Sequence, residues 1–460
     1  MFKAATYIER RKRLKKQVKS GIILLLGNEE SSMNYADNTY HFRQDSSFLY
    51  FFGLDFPSLT GVIDIDEDKD FIFGNDLTVN DIIWMGPQPT IKEKSHKAGV
   101  KNTASIDNLE KLLKKVQQKN REIHFLPPYR PENKLKLFHL LGIHPDRAQE
   151  ESSVELVKAV VAQRVVKTRE EVVEIEKAVD ITADMHITAI KMARPGITEA
   201  EIAAAVHEVA FASGGQLAFP IIATIHGETL HNHYYGNVLK SGDMFLLDTG
   251  AETAMHYAGD MSSTFPVDTK FTERQKEIYN IALTAHDASI EALKPGVKFR
   301  DVHHLAAKII ASRLKDMGFM KGDIDEAIAQ GAHALFFQCG LGHMMGLDVH
   351  DMEDLGEVYV GYEGKPKSTQ FGLKSLRLAR ELQPGFVLTI EPGIYFIPEL
   401  IDMWKKENKF SQFINYNKVE AYKDFGGLRN EENFLITENG YRLLGKPKPK
   451  TIEEVESMRT

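Results

Sequence analysis

The sequence predicts two domains: an α/β domain over residues 1–160, then an α+β domain over 161–460 with an internal pseudo-two-fold duplication. Three observations predict it. The chain has 460 residues, too many for one ordinary core. Its first third alternates strand-like apolar runs with helical stretches. The remainder repeats a helix-helix-strand pattern in register.

The first twenty residues are charged and helical, and Arg10-Arg11-Lys12-Arg13 reads as the solvated face of that helix rather than a nucleic-acid footprint. The runs Ile22–Leu26, Gly61–Ile65 and Asp70–Phe73 have the length and apolar content of buried strands. From His144 a polar, proline-containing stretch passes into a helix near Lys167, which puts the domain boundary close to residue 160, within about ten residues.

Beyond it, Thr168-Arg169-Glu170-Glu171 has the form of a capping box, and its helix stops at Pro195-Gly196. Thr272-Glu273-Arg274-Gln275 opens a helix that stops at Pro295-Gly296. A second amphipathic helix follows each stop, at 199–213 and about 301–318. Each half then reaches a strand running from a glycine to an acid six residues later, Gly242 to Asp248 and Gly385 to Glu391. Pro-Gly pairs are common helix terminators. The shared Gly-to-acid spacing is what favours a duplication.

Composition narrows the function. A formal charge of −8 offers no basic surface for nucleic acid or an anionic membrane. No apolar stretch approaches the roughly 18 residues of a membrane span, no signal peptide is visible, and a single cysteine, Cys339, excludes an internal disulfide. The expectation is a cytoplasmic protein.

The chemistry is carried by Asp248, Asp260, His343, Glu391 and Glu431. The runs MFLLDTG and FVLTIEPG each bring an acid to the end of a buried strand with no Lys or Arg in the run, and an uncompensated buried carboxylate is costly. Four carboxylates around one divalent ion would leave a net charge of about −2, whereas two ions would neutralise them; oxygen ligands with one imidazole suit manganese or zinc. Taken alone, Asp248 or Asp260 would be an ordinary turn former.

With their neighbours these residues resemble the pita-bread metallopeptidases, in the proline-specific branch of Xaa-Pro dipeptidases and aminopeptidase P. The motifs are LLDTG, YAGDMSSTFPV, GLGHMMGLDVHD, LTIEPGIYF and FGGLRNEEN, in the family's order, and FRQDSSFLYFFGL is similar to that branch's N-terminal domain. The resemblance implies a pita-bread catalytic domain holding two divalent metal ions, manganese first and zinc or cobalt as alternatives. Asp248 would chelate one ion, Asp260 and Glu431 would bridge both, and His343 and Glu391 would complete the second. It further implies catalytic roles for His231, His350, Glu391 and Arg429, and substrate contacts from His231, His350 and Arg377. The partners it implies are short proline-containing peptides, with no nucleic acid and no membrane, and a homodimer as the assembly. His226, His233 and His256 match no family role. A fold that has lost catalysis and binds only is the non-enzyme alternative, but the five ligand positions are all intact.

Arg377 tilts the expectation toward an Xaa-Pro dipeptidase, whose substrate has a free carboxylate just beyond the ring; aminopeptidase P acting on longer peptides is the alternative. Two departures stand out. Asp248 and Asp260 are twelve residues apart where the family usually has eleven, so a bulge near Thr253 to His256 is the expected accommodation. Cys339 also stands where the family commonly has a histidine, four residues before His343.

Overall fold

In the computed structural model, which describes residues 1–459, the chain forms two units: Met1–Arg164 with Met352–Tyr359, and Val165–Asp351 with Val360 onward. The first is built on a five-stranded mixed sheet of β1 (Ile22–Leu26), β2 (Thr60–Asp64), β3 (Lys69–Phe73), β4 (Asn102–Ala104) and β5 (Ile123–Phe125), in the order β4-β3-β2-β1-β5. β1, β2 and β3 pair antiparallel, and β4 and β5 add parallel at the two edges. Ile22, Leu24, Val62 and Phe73 from the sheet pack with Leu109, Leu113 and Val116 of the Asp107–Gln118 helix, whose apolar residues recur at helical spacing.

The basic run of the first helix is only partly solvated: Lys12 is exposed, but two of its arginines are not. Arg10 and Arg11 are each 1% exposed. Arg11 donates to the carbonyls of Phe51 and Ala98 and pairs with Asp70 at 2.8 Å, while the Arg10 guanidinium lies 3.8 Å from the Tyr50 ring centroid. A guanidinium is weakly hydrated and planar, so carbonyls, an acid and an aromatic face can replace its water.

The second unit has two related halves. In the first, the Arg169–Met192 helix opens with the Thr168/Glu171 capping box and packs with the Glu199–Ala212 helix. These cover β6 (Gln216–Leu217), β7 (Ile222–Thr224), β8 (Met244–Thr249), β9 (Ala251–Glu252) and β10 (Met261–Pro266), with the main sheet in the order β10-β8-β7. In the second, the Glu273–Glu291 helix opens with the Thr272/Gln275 box and pairs with the Phe299–Asp316 helix. Its strands are β11 (Val387–Ile390), β12 (Gly393–Tyr395), β13 (Gly427–Arg429), β14 (Glu432–Ile436) and β15 (Tyr441–Leu443), with β11-β14-β15 as the main sheet.

The duplication is written in the hydrogen bonds. Gly196 N–H donates to the Leu239 carbonyl and Leu239 N–H to Ile197; Gly296 N–H donates to Leu382 and Leu382 N–H to Val297. Leu239 and Leu382 each lie three residues before the glycine that opens the acid-bearing strand. The fold is thus an α/β N-terminal domain with a pseudo-two-fold pita-bread domain. Among the described residues no helix is long and apolar enough to cross a membrane.

The extra residue between Asp248 and Asp260 is taken up by the expected bulge. β8 and β10 pair from Met244↔Pro266 to Thr249↔Met261, and the same register continues to the Glu252↔Ala258 bridge and the Thr253 N–H bond to Tyr257. The residue is absorbed there: His256, at a left-handed φ of 67°, and Tyr257 both face Thr253, with His256 N–H donating to the Thr253 carbonyl at 2.8 Å and Thr253 N–H to the Tyr257 carbonyl at 3.0 Å. With the ladder intact, Asp248 faces Ser262, and Asp260, two residues away, shares that side of the hairpin.

Glycines let this hairpin approach its helix. A Cβ on Gly259 would sit 2.8 Å from the backbone of both Ala178 and Val179, which cannot yield as a flexible side chain would. Gly259→Ala should therefore destabilise by at least about 3 kcal/mol in urea unfolding, at or beyond the upper end of overpacking costs. Gly440→Ala, with nothing within 4 Å of its Cβ, should stay within about 0.5 kcal/mol of wild type.

Candidate metal centre

Two halves of one unit deliver the acids to one place. β8 supplies Asp248, Asp260 immediately precedes β10, Glu391 follows β11, and Glu431 lies between β13 and β14. His343 is held beside β11, its N–H donating to Thr389 Oγ1 at 3.1 Å and its carbonyl accepting from Thr389 N–H at 3.0 Å. This is where the second half carries the isolated Met344↔Leu388 bridge instead of a counterpart to β7. Gly342 is required there, because a Cβ would lie 2.1 Å from the Thr389 carbonyl oxygen. Asn433 then ties the halves together: it accepts from Asp260 N–H at 3.1 Å and donates to the Asp260 carbonyl.

The resulting cluster lacks enough internal partners. Ligand atoms of Asp260, His343 and Glu431 all lie within 4.8 Å of one another, and His343 Nε2 is 3.3 Å from Asp260 Oδ2 and 3.5 Å from Glu391 Oε1. Asp260 Oδ1 and Glu431 Oε1 are buried without a hydrogen-bond partner. Burial, and then repulsion among the acids, pushes the Asp260 and Glu431 carboxyls well above the ordinary carboxylate range. Glu391 is also raised, by burial first, against the opposing pull of His343 and Arg429.

The imidazole is set in the state a cation needs. His343 Nδ1 lies 3.0 Å from the Met344 carbonyl, which can only accept, so Nδ1 carries the proton and Nε2 presents its lone pair to the acids. Burial lowers the His343 pKa and keeps the ring neutral near pH 7. Orphaned carboxylate oxygens, a tautomer fixed by a carbonyl and an excess of buried acid together fit divalent cations.

Arg429 is the counter-charge in the chain itself. Its Nη1 donates to Tyr395 Oη at 2.7 Å, its Nε to Ser262 Oγ at 2.9 Å, and its Nη2 to Asp248 Oδ2. Three converging acceptors hold the buried guanidinium charged, its pKa raised despite burial. Burial keeps the Tyr395 phenol protonated.

All nine sequence-predicted site residues, His231, Asp248, Asp260, His343, His350, Arg377, Glu391, Arg429 and Glu431, line one cavity of about 320 Å³. The His350 ring stands 4.3 Å from the His343 ring, and the Arg377 charge is felt by both His343 and Glu391. Phe219, Pro220, Ile222, Leu230 and Val349 form an apolar wall. Cys339 lines the cavity too, its thiol 4.0 Å from Tyr395 Oη and pushed by burial up to about 12, which leaves it protonated. His233, which matches no family role, is at the exposed rim. His226 and His256 pair instead with Glu228 and Glu252. Sequence reasoning misses Tyr395, Ser262 and Lys448, although the tyrosine lies inside a quoted motif and the serine two residues beyond Asp260.

The profile of metallopeptidase family M24 matches residues 173–438, and that of the aminopeptidase P N-terminal domain matches 7–124. The chain belongs to metallopeptidase family M24, in its proline-specific branch. It is 32% identical to the human Xaa-Pro dipeptidase over 459 residues, covering 95% of this chain and 88% of that one. It is also 32% identical to a probable Xaa-Pro aminopeptidase of Fusarium vanettenii, covering 95% and 92%. Among solved structures, Pseudomonas aeruginosa aminopeptidase PepP superposes with a TM-score of 0.82 at 25% identity, covering 99% of this chain and 98% of that one. Zinc-substituted Escherichia coli aminopeptidase P in complex with product gives 0.80 at 27%, with the same coverage.

The raised carboxyls set a pH dependence. Each is harder to ionise in the folded, metal-free protein than in the unfolded chain, so it favours folding below the unfolded pKa near 4 and loses that contribution as pH rises through the folded value. Divalent cations need the ionised acids and reverse the loss. The increase in Tm on adding manganese to metal-free protein should grow from pH 5 to pH 8, and calorimetry in buffers of different ionisation enthalpy should register proton release on binding.

Proposed function

We propose that this chain is a metal-dependent peptidase that hydrolyses the Xaa-Pro bond at the N-terminus of short peptides, with Xaa-Pro dipeptides as the preferred substrates. The observation that carries this is one small cavity containing the acid-imidazole cluster, an apolar wall and Arg377. Asp248, Asp260, His343, Glu391 and Glu431 would hold two divalent ions, manganese before zinc or cobalt. When bound, such ions acidify a water and polarise the scissile carbonyl.

The rest of the chemistry belongs to the side chains. The bond before proline is a tertiary amide with no N–H, and its ring needs a pocket rather than a strand-like cleft; Phe219, Pro220, Ile222, Leu230 and Val349 supply apolar surface for it. Glu391 accepts a proton from the attacking water and returns it to the prolyl nitrogen, which must be protonated to leave. His231 and His350 face the scissile carbonyl as hydrogen-bond donors, and Arg429 anchors Asp248. Arg377 meets the free carboxylate of a dipeptide.

The same reading takes residues 161–460 as the catalytic domain, with 1–160 as an appended domain in a cytoplasmic homodimer. Support for a second copy comes from the Val79–Met85 helix, which buries none of its residues and leaves Val79, Ile83, Trp84 and Met85 at least half exposed. Wild type should sediment as a dimer at low micromolar concentration and Trp84→Asp as a monomer; an unchanged dimer in the variant would place the contact elsewhere.

Truncating Arg377 to Met should cost dipeptide cleavage about 1.5–3 kcal/mol, or roughly 10- to 150-fold in kcat/KM, the range for a charge-assisted bond. A tripeptide, whose carboxylate lies one residue further out, should lose much less. If wild type cleaves Xaa-Pro-Yaa as well as Xaa-Pro and the variant impairs both equally, aminopeptidase P is the better description.

His350→Ala should lower kcat with metal content near wild type, whereas His343→Ala should lose metal as well. Equal metal loss in both, measured by elemental analysis of purified protein, would make His350 a ligand.

A further inference from the structure

Ser262 is fully buried on β10, opposite Asp248 in register and two residues from Asp260. Its Oγ lies 2.8 Å from Glu431 Oε2 and 2.9 Å from Arg429 Nε. A guanidinium has donors only, so the hydroxyl must accept from Arg429 and its single proton is committed to Glu431. The Ser262 carbonyl is also shared. It accepts Glu431 N–H at 3.0 Å and the Lys448 ammonium at 2.9 Å.

Lys448 is 3% exposed, and a buried ammonium is costly without strong acceptors. It comes from Lys446-Pro447-Lys448-Pro449-Lys450, in which the outer lysines pair with acids, Lys446 with Asp184 and Lys450 with Glu432 and Asp287. The middle lysine instead reaches the Ser262 carbonyl. Both polar ends of this one residue are therefore fixed, and the hydroxyl engages Glu431 Oε2 while Oε1 stays buried without a partner.

We propose that Ser262, backed by Lys448, is the positioning residue of the centre: its hydroxyl engages Oε2 of the Glu431 carboxylate and so leaves Oε1 available to a cation, and it steadies Arg429 against Asp248. This rests on the reading that Asp260 and Glu431 hold divalent cations. Ser262 is buried and does not line the cavity, so its effect passes through Glu431 and Arg429.

The test titrates MnCl₂ into metal-free wild type, Ser262→Ala, Ser262→Thr, Ser262→Cys, Asp260→Ala and Glu431→Ala by calorimetry, with kcat and KM for an Xaa-Pro dipeptide measured in parallel. Ser262→Ala should bind manganese about 10- to 100-fold more weakly, the usual cost of losing an outer hydrogen bond to a ligand. Its kcat should fall while KM stays within about threefold. Ser262→Thr, which keeps the hydroxyl, should restore affinity to within about threefold. If Ser262→Ala does not fold, Ser262→Cys of native circular dichroism carries the test, because a thiol is a poor donor and should show the same weakening.

Wild-type affinity in the folded Ala or Cys variant, a lowered melting temperature without weaker binding, or failure of Thr to rescue overturns the proposal. If Asp260→Ala and Glu431→Ala themselves bind manganese like wild type, the metal-centre reading falls instead.

Discussion

Two buried carboxyls, Asp260 and Glu431, with the partly exposed Glu391 beside the same imidazole, are the constraint on which the rest of the second unit depends. Asp260, Glu391 and Glu431 cannot all ionise together in a buried site without compensating positive charge. The chain supplies part of it: Arg429 inside the cluster, and Lys448 bonded to β10, the strand that follows Asp260. What remains is the charge of divalent ions. Much of the surrounding architecture then follows from holding carboxylates against their own repulsion, including the paired hydrogen bonds of Asn433 on Asp260 and the double clamp of Ser262 on Glu431.

The duplication is a physical answer to the same constraint. One hairpin can place two acids on one side, as the β8–β10 hairpin does with Asp248 and Asp260, but a centre enclosed by four needs a second, facing source. A repeated helix-helix-strand unit brings Glu391 and Glu431 to meet them. Each half's Pro-Gly turn bonds to the leucine three residues before its strand glycine, so both strands start at an equivalent height. The halves are not identical strand for strand. Where the first half has β7, the second has only the Met344 bridge, and that interruption is where His343 is held.

What is legible in the sequence follows from how local its physics is. Capping boxes at Thr168 and Thr272 and the Gly-to-acid strands are short-range patterns, and the observed helices begin one residue after each box. The acids are readable because they end apolar runs and because five motifs occur in a family's order. Arg10 and Arg11 are misread because nothing in a run of cations reveals that Phe51, Ala98 and Tyr50 will supply carbonyls and a ring from elsewhere in the chain. The bulge at Thr253 to His256 is readable because two acids that must face one side leave an extra residue only the hairpin's end to occupy; that His256 takes the positive φ is not. Ser262 and Lys448 are invisible for the same reason as the arginines, since their meaning lies in a contact spanning 186 residues.

Overall similarity does not choose between the two activities of the branch. A dipeptidase and a probable aminopeptidase are each 32% identical to this chain over nearly its full length. On the proposed reading both activities would use the same acids, the same imidazole and a pocket for the same ring, so the residues that dominate a comparison would be common to both. The difference in substrate begins one residue past the proline, where a dipeptide ends in a carboxylate and a longer peptide continues. A planar cation at that distance rewards the first and gives the second little, whereas an open or neutral exit does the reverse. Arg377 is a cation in the same cavity as the cluster, and its charge bears on both His343 and Glu391. A carboxylate drawn to it would therefore stay close to the reacting bond, which favours a substrate only two residues long.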